Sequence, residues 1–493
     1  MTKKISGFAE AKATKNYLAK YKITQTSVLG KTGLSVSEVG FGCYRIGFGQ
    51  NAHLESLELA LSSGINLIDT SSTYTDGNSE TIVGTVLEDL INKGKLRRNE
   101  VVVVTKGGYA QGKNYEICKK REELGNPFPE IVEVQEGLWH CIHPEFLEDQ
   151  LNRSLERLGL ESVDVYLLHN PEYFIEFSVK KQGNSVEETG KIYLERITKA
   201  FEFLEEKVKE GKIKSYGISS NTFPSSSDFR KFTPLDKIYK IAQVINPNHN
   251  FKVIQLPANL LEKGIVTEKN QMDNNQTVND FCFENNIGVL INRPLNAIVS
   301  NTLLRLADFK TEKFSELEFG KAVLGLRNSQ DAVIAIAERH NLPEAKDYLT
   351  LADFFKENLA SFGSIENWND FEQYRLLPTV NYGLRLLQEK DDSETSIEIY
   401  KKYVSALKNA LSSMTNYNSE IAQERSKKLH KTLTDFFSDE EISLSNKAIL
   451  SLRAIPSVSC VLVGMRQQKY VEDVLSKINE IPPSEWKKLW TKE

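Results

Sequence analysis

The sequence predicts an α/β chain folded as a (β/α)8 TIM barrel, with a helical insertion between the seventh and eighth strands. Three observations predict it. Short apolar runs alternate with amphipathic stretches from Gly33 onward. The runs are continuously apolar rather than alternating, as strands of a parallel sheet covered by helices are. Eight such units can be counted, the number that closes a parallel barrel.

In order, the candidate strands are Val36–Gly40, Ile65–Ile68, Val101–Thr105, Val163–Leu168, Ile213–Ile218, Val253–Leu256, Ile287–Ile291 and Val458–Val463. Helical patterns fill gaps between them at Glu55–Ser62, Glu80–Leu90, Pro144–Leu158, Ile192–Glu210, Val278–Glu284 and Leu444–Arg453. The competing fold, a doubly wound open sheet, wants GxGxxG after its first strand. Here Gly40-Phe41-Gly42 is followed by Arg45 where the third glycine belongs, so that fingerprint is absent. Two connections are long. About 38 residues, with Gly107-Gly108-Tyr109 and the Gly/Pro-rich Gly125–Pro129, separate the third strand from Pro144; loops of that length are usually functional or disordered. The second runs from Thr302 to about Ile442 and carries helical patterns at Ala332–Arg339, Thr350–Ala360, Glu398–Leu411 and Ile421–Phe437. It reads as a lid, a dimerisation module or passive bulk. The expected organisation is an extension over 1–28, a barrel over 29–301 and 442–485, and an insertion over 302–441. The extension reads as an arm packed on the barrel or as an organelle transit segment; it lacks the apolar core of a secretory signal.

Bulk properties exclude several classes. Lys+Arg 62 against Asp+Glu 67 gives a net charge of −5 with no long basic block, which argues against a nucleic-acid partner. No stretch approaches the ~20 apolar residues of a membrane helix. Five cysteines without CxxC spacing argue against a zinc site or a disulfide scaffold, and leave the cytoplasm as the default location. Oligomeric state stays open.

Polar residues stand at or just past strand ends: Asp69 and Tyr74 after the second, Lys106 after the third, His169 after the fourth. The C-terminal ends of barrel strands open onto one face, where the chemistry of such folds sits. Taken singly, each has an ordinary reading: a turn-capping Asp, a loop aromatic, a surface Lys, a core His. Taken together, an acid, a phenol, an ammonium and an imidazole make a proton-donating set for a carbonyl. Tyr74 is the expected general acid, and a nearby Lys106 would favour the phenolate of a group whose free pKa is about 10. Asp69 would hold Lys106 charged and fixed, and His169 would orient the carbonyl. Near the C-terminus, Arg466 follows a strand and Gly464 and precedes a helix, a combination that binds anions. His140 and His143 invite a metal reading, but no further ligands complete a shell; a turn lining the substrate mouth is the better reading, and no metal is expected.

Leu29-Gly30-Lys31-Thr32-Gly33-Leu34-Ser35-Val36-Ser37 with Gly40-Phe41-Gly42 resembles the opening of the aldo-keto reductase superfamily. Asn66–Ser71 with Tyr74, Val104-Thr105-Lys106, and Asp164–His169 preceded by Ser154–Gly159 resemble its successive motifs. The resemblance spans about Ser27–Ser300 and Leu444–Leu475. It implies an NADP(H) cofactor, with NAD(H) as the alternative, held in extended form, and hydride transfer to an aldehyde, ketone or sugar-type carbonyl. It implies Asp69, Tyr74, Lys106 and His169 as the catalytic tetrad. For the cofactor it implies Tyr44, the carboxamide-holding Ser219, Ser220 and Gln255, then Arg293 and Leu295, and a terminal clamp of Gly464, Arg466, Tyr470 and Asp473.

The chain departs from the pattern in three places. Ser220 stands where the superfamily usually has Asn, with Asn221 one place later. Asn292 occupies the position of an aromatic that stacks on the nicotinamide, and Arg293 beside it is a candidate grip for the pyrophosphate. Tyr470 replaces a second clamp arginine and is suited to stack on adenine. These departures and the insertion keep a second class open: a nucleotide-sensing or scaffold protein, like the superfamily's channel β-subunits. A non-redox lyase or isomerase would leave the clamp unexplained.

Overall fold

The computed structural model describes residues 4–300, 302–309, 312–437 and 442–491. Eight strands close a parallel barrel: β1 Val39–Gly42, β2 Leu67–Asp69, β3 Val102–Gly107, β4 Val163–His169, β5 Ile213–Ser219, β6 Phe251–Pro257, β7 Gly288–Asn292 and β8 Val458–Val463. Each pairs with its neighbours in chain order, and β8 returns to β1 while β4 pairs β5.

Side chains in a barrel alternate between interior and exterior. The interior set includes Leu67, Val102, Val104, Val165, Leu167, Val253, Leu290, Cys460 and Leu462, all buried in one cluster. Gly40 belongs to this layer; a Cβ there would lie 2.8 Å from Cys460 Sγ and 3.0 Å from Leu67 Cδ2. The floor is sealed by the N-terminal segment. Ala9 joins the interior cluster with Leu29, Leu34 and Val36, and its amide donates to Asp164 Oδ1 at 2.6 Å.

Three expectations need correction. The first barrel strand begins at Val39, not Val36. Val36 sits in a short strand, Ser35–Ser37, paired antiparallel with Thr26–Val28; it is apolar because it plugs the floor. The long connection after β3 is structured. It holds the helix Lys113–Glu123 and a three-stranded sheet of Tyr109–Gln111, Leu138–His140 and Val132–Gln135, packed around Cys118, Phe128, Trp139 and Phe146. A helix at Leu235–Ile245, absent from the expected set, covers the wall with Leu235, Ile238, Tyr239 and Ala242 buried, the i, i+3, i+4, i+7 spacing of one helix face.

Contacts divide the chain into two compact units, Met1–Pro294 with Asn446–Glu493, and Leu295–Ser445. The expected edges at 301 and 441 lie outside the described residues. The second unit has its own core. Helix Glu316–Arg339 packs on the 40-residue helix Glu394–Leu433, which joins two stretches expected as separate helices, Glu398–Leu411 and Ile421–Phe437, and ends four residues short of the end of the second. Trp368 is fully buried there and donates its indole N–H to Thr415 at 2.9 Å. Among the described residues no helix is long and apolar enough to cross a membrane.

Candidate active site

The parity that fills the barrel also builds the site. Asp69, Lys106, His169, Gln255 and Asn292 stand two residues beyond Leu67, Val104, Leu167, Val253 and Leu290 of the interior layer. Each therefore faces the axis where its strand ends, and the apolar interior finishes in one polar layer. Lys106 is fully buried and Asp69 is 3 % exposed. The Lys106 ammonium lies 2.7 Å and 2.8 Å from the two Asp69 oxygens, donates to the Thr70 carbonyl at 2.8 Å, and reaches the Tyr74 hydroxyl at 3.3 Å. Those partners use all three of its donors.

Tyr74 comes from a 3-10 turn, Tyr74–Gly77, in which Thr75 and Asp76 hold φ of 47° and 58°. A β-branched residue in that region is strained. The turn is pinned from outside: Thr75 donates to the Ile46 carbonyl at 2.5 Å and Asp76 accepts the Lys113 amide at 2.9 Å. The ring of Tyr74 meets Tyr44 edge-on at 5.2 Å and His169 at 6.1 Å.

His169 is held on three sides. Ser71 Oγ lies 3.2 Å from Nδ1, the Tyr109 ring packs edge-on at 4.6 Å, and its carbonyl accepts from His140 Nε2 at 2.7 Å. A ring nitrogen facing a carbonyl must carry the proton, so His140 is the Nε2–H tautomer. Burial pushes the His140 imidazole down to about 4, which keeps it neutral. Gly108 allows this approach: its φ is +144°, and a Cβ would stand 2.9 Å from His140 Nε2 and 3.0 Å from the His169 carbonyl oxygen. His143 does separate work, accepting the Glu145 amide as cap of the helix Pro144–Arg157. The pair tempting as metal ligands is thus divided between a positioning bond and a helix cap.

Electrostatics revises one expectation. Burial, then the Asp69 carboxylate, hold the Tyr74 phenol well above its ordinary value. The expected push by Lys106 toward phenolate is outweighed, because the ammonium is closer to Asp69 than to the phenol and the pair presents little net charge. Burial drives the Asp69 carboxyl up and the Lys106 amine down, and their mutual attraction opposes both shifts. Burial and the Lys106 charge keep the His169 imidazole well below its ordinary value. The resting site is a protonated phenol beside a neutral imidazole.

The remaining expected residues divide. Gln255 Nε2 donates to Asp69 Oδ1 at 2.7 Å, and its Oε1 accepts from Ser219 Oγ at 3.2 Å and Asn292 Nδ2 at 3.3 Å. Ser220 has the opposite parity: its backbone amide donates to the Gln255 carbonyl at 3.0 Å, but its hydroxyl bonds Thr233 at 3.0 Å and the Thr222 amide at 3.1 Å, away from the Gln255 side chain. Arg293 pairs with Glu262 at 2.9 Å, so a phosphate would have to share or displace that partner. Leu295 opens the second unit. Tyr44 is 66 % exposed on the rim. Gly464 and Arg466 follow β8, and the helix Gln468–Ser476 starts with no side-chain cap on its first amides. Within that helix the Lys469 ammonium lies 5.2 Å from the centre of the Tyr470 ring, while Asp473 accepts from Asn446 at 3.1 Å. Sequence reasoning missed Ser71, Tyr109 and the positioning role of His140. Tyr109 follows a Gly-Gly pair at a strand end, a signal of close approach that was available.

A sequence model described as the aldo/keto reductase family matches residues 38–318, more than half of the 493. The uncharacterized oxidoreductase YqkF of Bacillus subtilis (strain 168) is 29 % identical over 192 residues, covering 39 % of this chain and 47 % of that protein. The NADH-specific methylglyoxal reductase of Escherichia coli (strain K12) is 34 % identical over 149 residues, covering 29 % and 40 %. The chain thus spans about half the length of the curated relatives it matches. Among solved structures, aldo-keto reductase AKR11C1 from Bacillus halodurans (holo form) aligns over 95 % of both chains at 16 % identity and a TM-score of 0.45. By the family match and the motifs that it spans, the chain belongs to the aldo/keto reductase family.

Proposed function

We propose that this protein is an oxidoreductase that interconverts an aldehyde or ketone, including sugar-type carbonyls, and its alcohol, with NADP(H) as the cofactor. The observation that carries the reading is the Tyr74 hydroxyl 3.3 Å from a Lys106 ammonium that is itself fixed on Asp69, beside His169. The rim beyond the strand ends suits a nicotinamide dinucleotide. Asn292 Oδ1 is a buried acceptor with no partner, Gly464 leaves open space where a side chain would stand, and uncapped helix amides adjoin Arg466. Arg466 and those amides would hold the adenosine phosphate, Tyr470 the adenine, and Ser219 and Gln255 the nicotinamide end. When bound, the cofactor supplies or accepts the hydride.

The chain's own residues handle the proton. Tyr74 is protonated at rest and is the acid for reduction, donating to the carbonyl oxygen. Lys106, locked by Asp69 and the Thr70 carbonyl, stabilises the phenolate left behind. With Ser71 donating to Nδ1, His169 carries its proton on Nε2 and gives a second hydrogen bond to the same oxygen. A positioned general acid is worth about 10²–10⁴ in rate. Tyr74→Phe should therefore keep cofactor affinity and lose turnover by roughly that factor, measured on a carbonyl and polyol panel by reduced-nicotinamide absorbance with both cofactors. A Phe variant at full rate would end the reading.

A further inference from the structure

The amides at the ends of β6 and β7 leave one atom over. Asp69 is a carboxylate and can only accept, so Gln255 must turn Nε2 toward Oδ1, where it lies at 2.7 Å. Its Oε1 is thereby fixed on the other side, accepting from Ser219 at 3.2 Å and from Asn292 Nδ2 at 3.3 Å. Asn292 has no second choice, because exchanging its O and N would set carbonyl against carbonyl. The Asn292 Oδ1 that results is buried and has no hydrogen-bond partner. A buried acceptor left unpaired is costly, and this one is imposed by its neighbours.

The site therefore asks for a donor delivered from the rim to the end of β7. The carbonyl group being reduced offers only an acceptor. The nicotinamide ring carries a single donor group, the N–H2 of its carboxamide. We propose that Asn292 Oδ1 accepts an N–H of that carboxamide, so that the residue at the end of β7 reads the ring's substituent instead of covering its face. This rests on the proposed function. It gives Asn292 a binding role in which Asp69, through Gln255, dictates which end of the Asn292 amide meets the cofactor.

The test is binding without substrate. The full-length protein is titrated calorimetrically with oxidised NADP and NAD and with the 3-acetylpyridine analogue of each, in which a methyl replaces the amide nitrogen. The expected result is at least about tenfold tighter binding of the amide form, the equivalent of ~1.4 kcal/mol. Asn292→Leu should cut the preference for the amide form severalfold and leave the analogue's affinity unchanged. Equal affinities in the unmodified protein, or a preference undiminished in the Leu variant, would overturn the assignment and leave the proposed function standing. Binding of no dinucleotide by the unmodified protein would overturn both.

Discussion

Glu172 is a carboxyl that the fold keeps from water beside the proposed cofactor end of the site. It is 5 % exposed; Oε1 accepts the Asn221 amide at 3.0 Å and Oε2 is buried without a partner. Burial pushes it up to about 7, against the pull of the Asn221 amide, Ser220 and the Lys231 charge; the buried Tyr193 phenol also faces it. An unfolded glutamate titrates near 4.5, so between that value and 7 the native state keeps a proton that the unfolded chain has lost. Stability from this group is then full below about pH 4.5 and falls as pH rises through 7, by about 3 kcal/mol. Glu172→Gln should match the unmodified protein in denaturant unfolding near pH 4.5 and exceed it by up to about that amount at pH 8. An identical difference at both pH values would show that Glu172 is not the group responsible. Residues such as Asp69, Lys106 and His169 were legible because each terminates an apolar run. Ser219 and Ser220 were not separable from composition alone; strand parity separates them. The Arg293–Glu262 pair joins loops 31 residues apart, and no periodic signal reports such a contact.

At the scale of elements, Gly108 shows how a strand end and the small sheet beyond it fix an imidazole. Gly108→Ala would place a Cβ inside contact distance of both His140 and the His169 carbonyl, with φ on the side that L residues avoid. We expect a loss of about 1–3 kcal/mol and a fall in turnover larger than any change in cofactor affinity, because His169 moves while the cofactor residues do not. Thermal unfolding and a kcat against Kd comparison check it; an unchanged kcat would free His169 from this support. The helix Gln468–Ser476 makes a second claim. On the proposed function its uncapped first turn and Arg466 would hold a 2′-phosphate, so Arg466→Ala should weaken NADP binding about ten- to a hundredfold, the range of a lost charge-assisted bond, and leave NAD binding unchanged. Equal loss for both dinucleotides would assign Arg466 to the shared part of the cofactor. That helix was legible because a strand, a glycine and an arginine precede it. The sheet after β3 was not, since strands of three or four residues show no usable period. Val36 misled for a related reason: a floor plug and a barrel strand are equally apolar.

At the scale of the molecule, closure was legible because eight apolar runs alternate with helices, whereas the unbroken length of Glu394–Leu433 was not, since its buried stripe keeps a spacing of three or four residues but turns polar at Asn418, Ser419 and Ser426, which interrupts the apolar pattern. The barrel has two ends with different duties. Its mouth carries the proposed chemistry, and its floor carries a buried ionic lock. Asp164, fully buried near the start of β4, accepts from Arg98 at 2.9 Å, from the Val103 amide at 2.8 Å and from the Ala9 amide at 2.6 Å. One carboxylate thus ties the N-terminal segment, β3 and β4 together. Arg98 is 6 % exposed, so neutralising Asp164 strands a guanidinium in the interior. Breaking a buried pair from one side costs about 3–5 kcal/mol, and Asp164→Asn also turns an amide N–H2 toward donors. Yet Asp164 lies five residues before His169 on the same strand, roughly 16 Å at ~3.3 Å per residue, and it shares no hydrogen bond with Lys106, Tyr74 or Gln255. The variant should unfold at markedly lower temperature and, assayed well below that transition, turn over at the rate of the unmodified protein. A kcat that fell in step with stability would mean that the floor and the mouth are mechanically one unit, and that the interior layer between them transmits displacement instead of isolating the site from it.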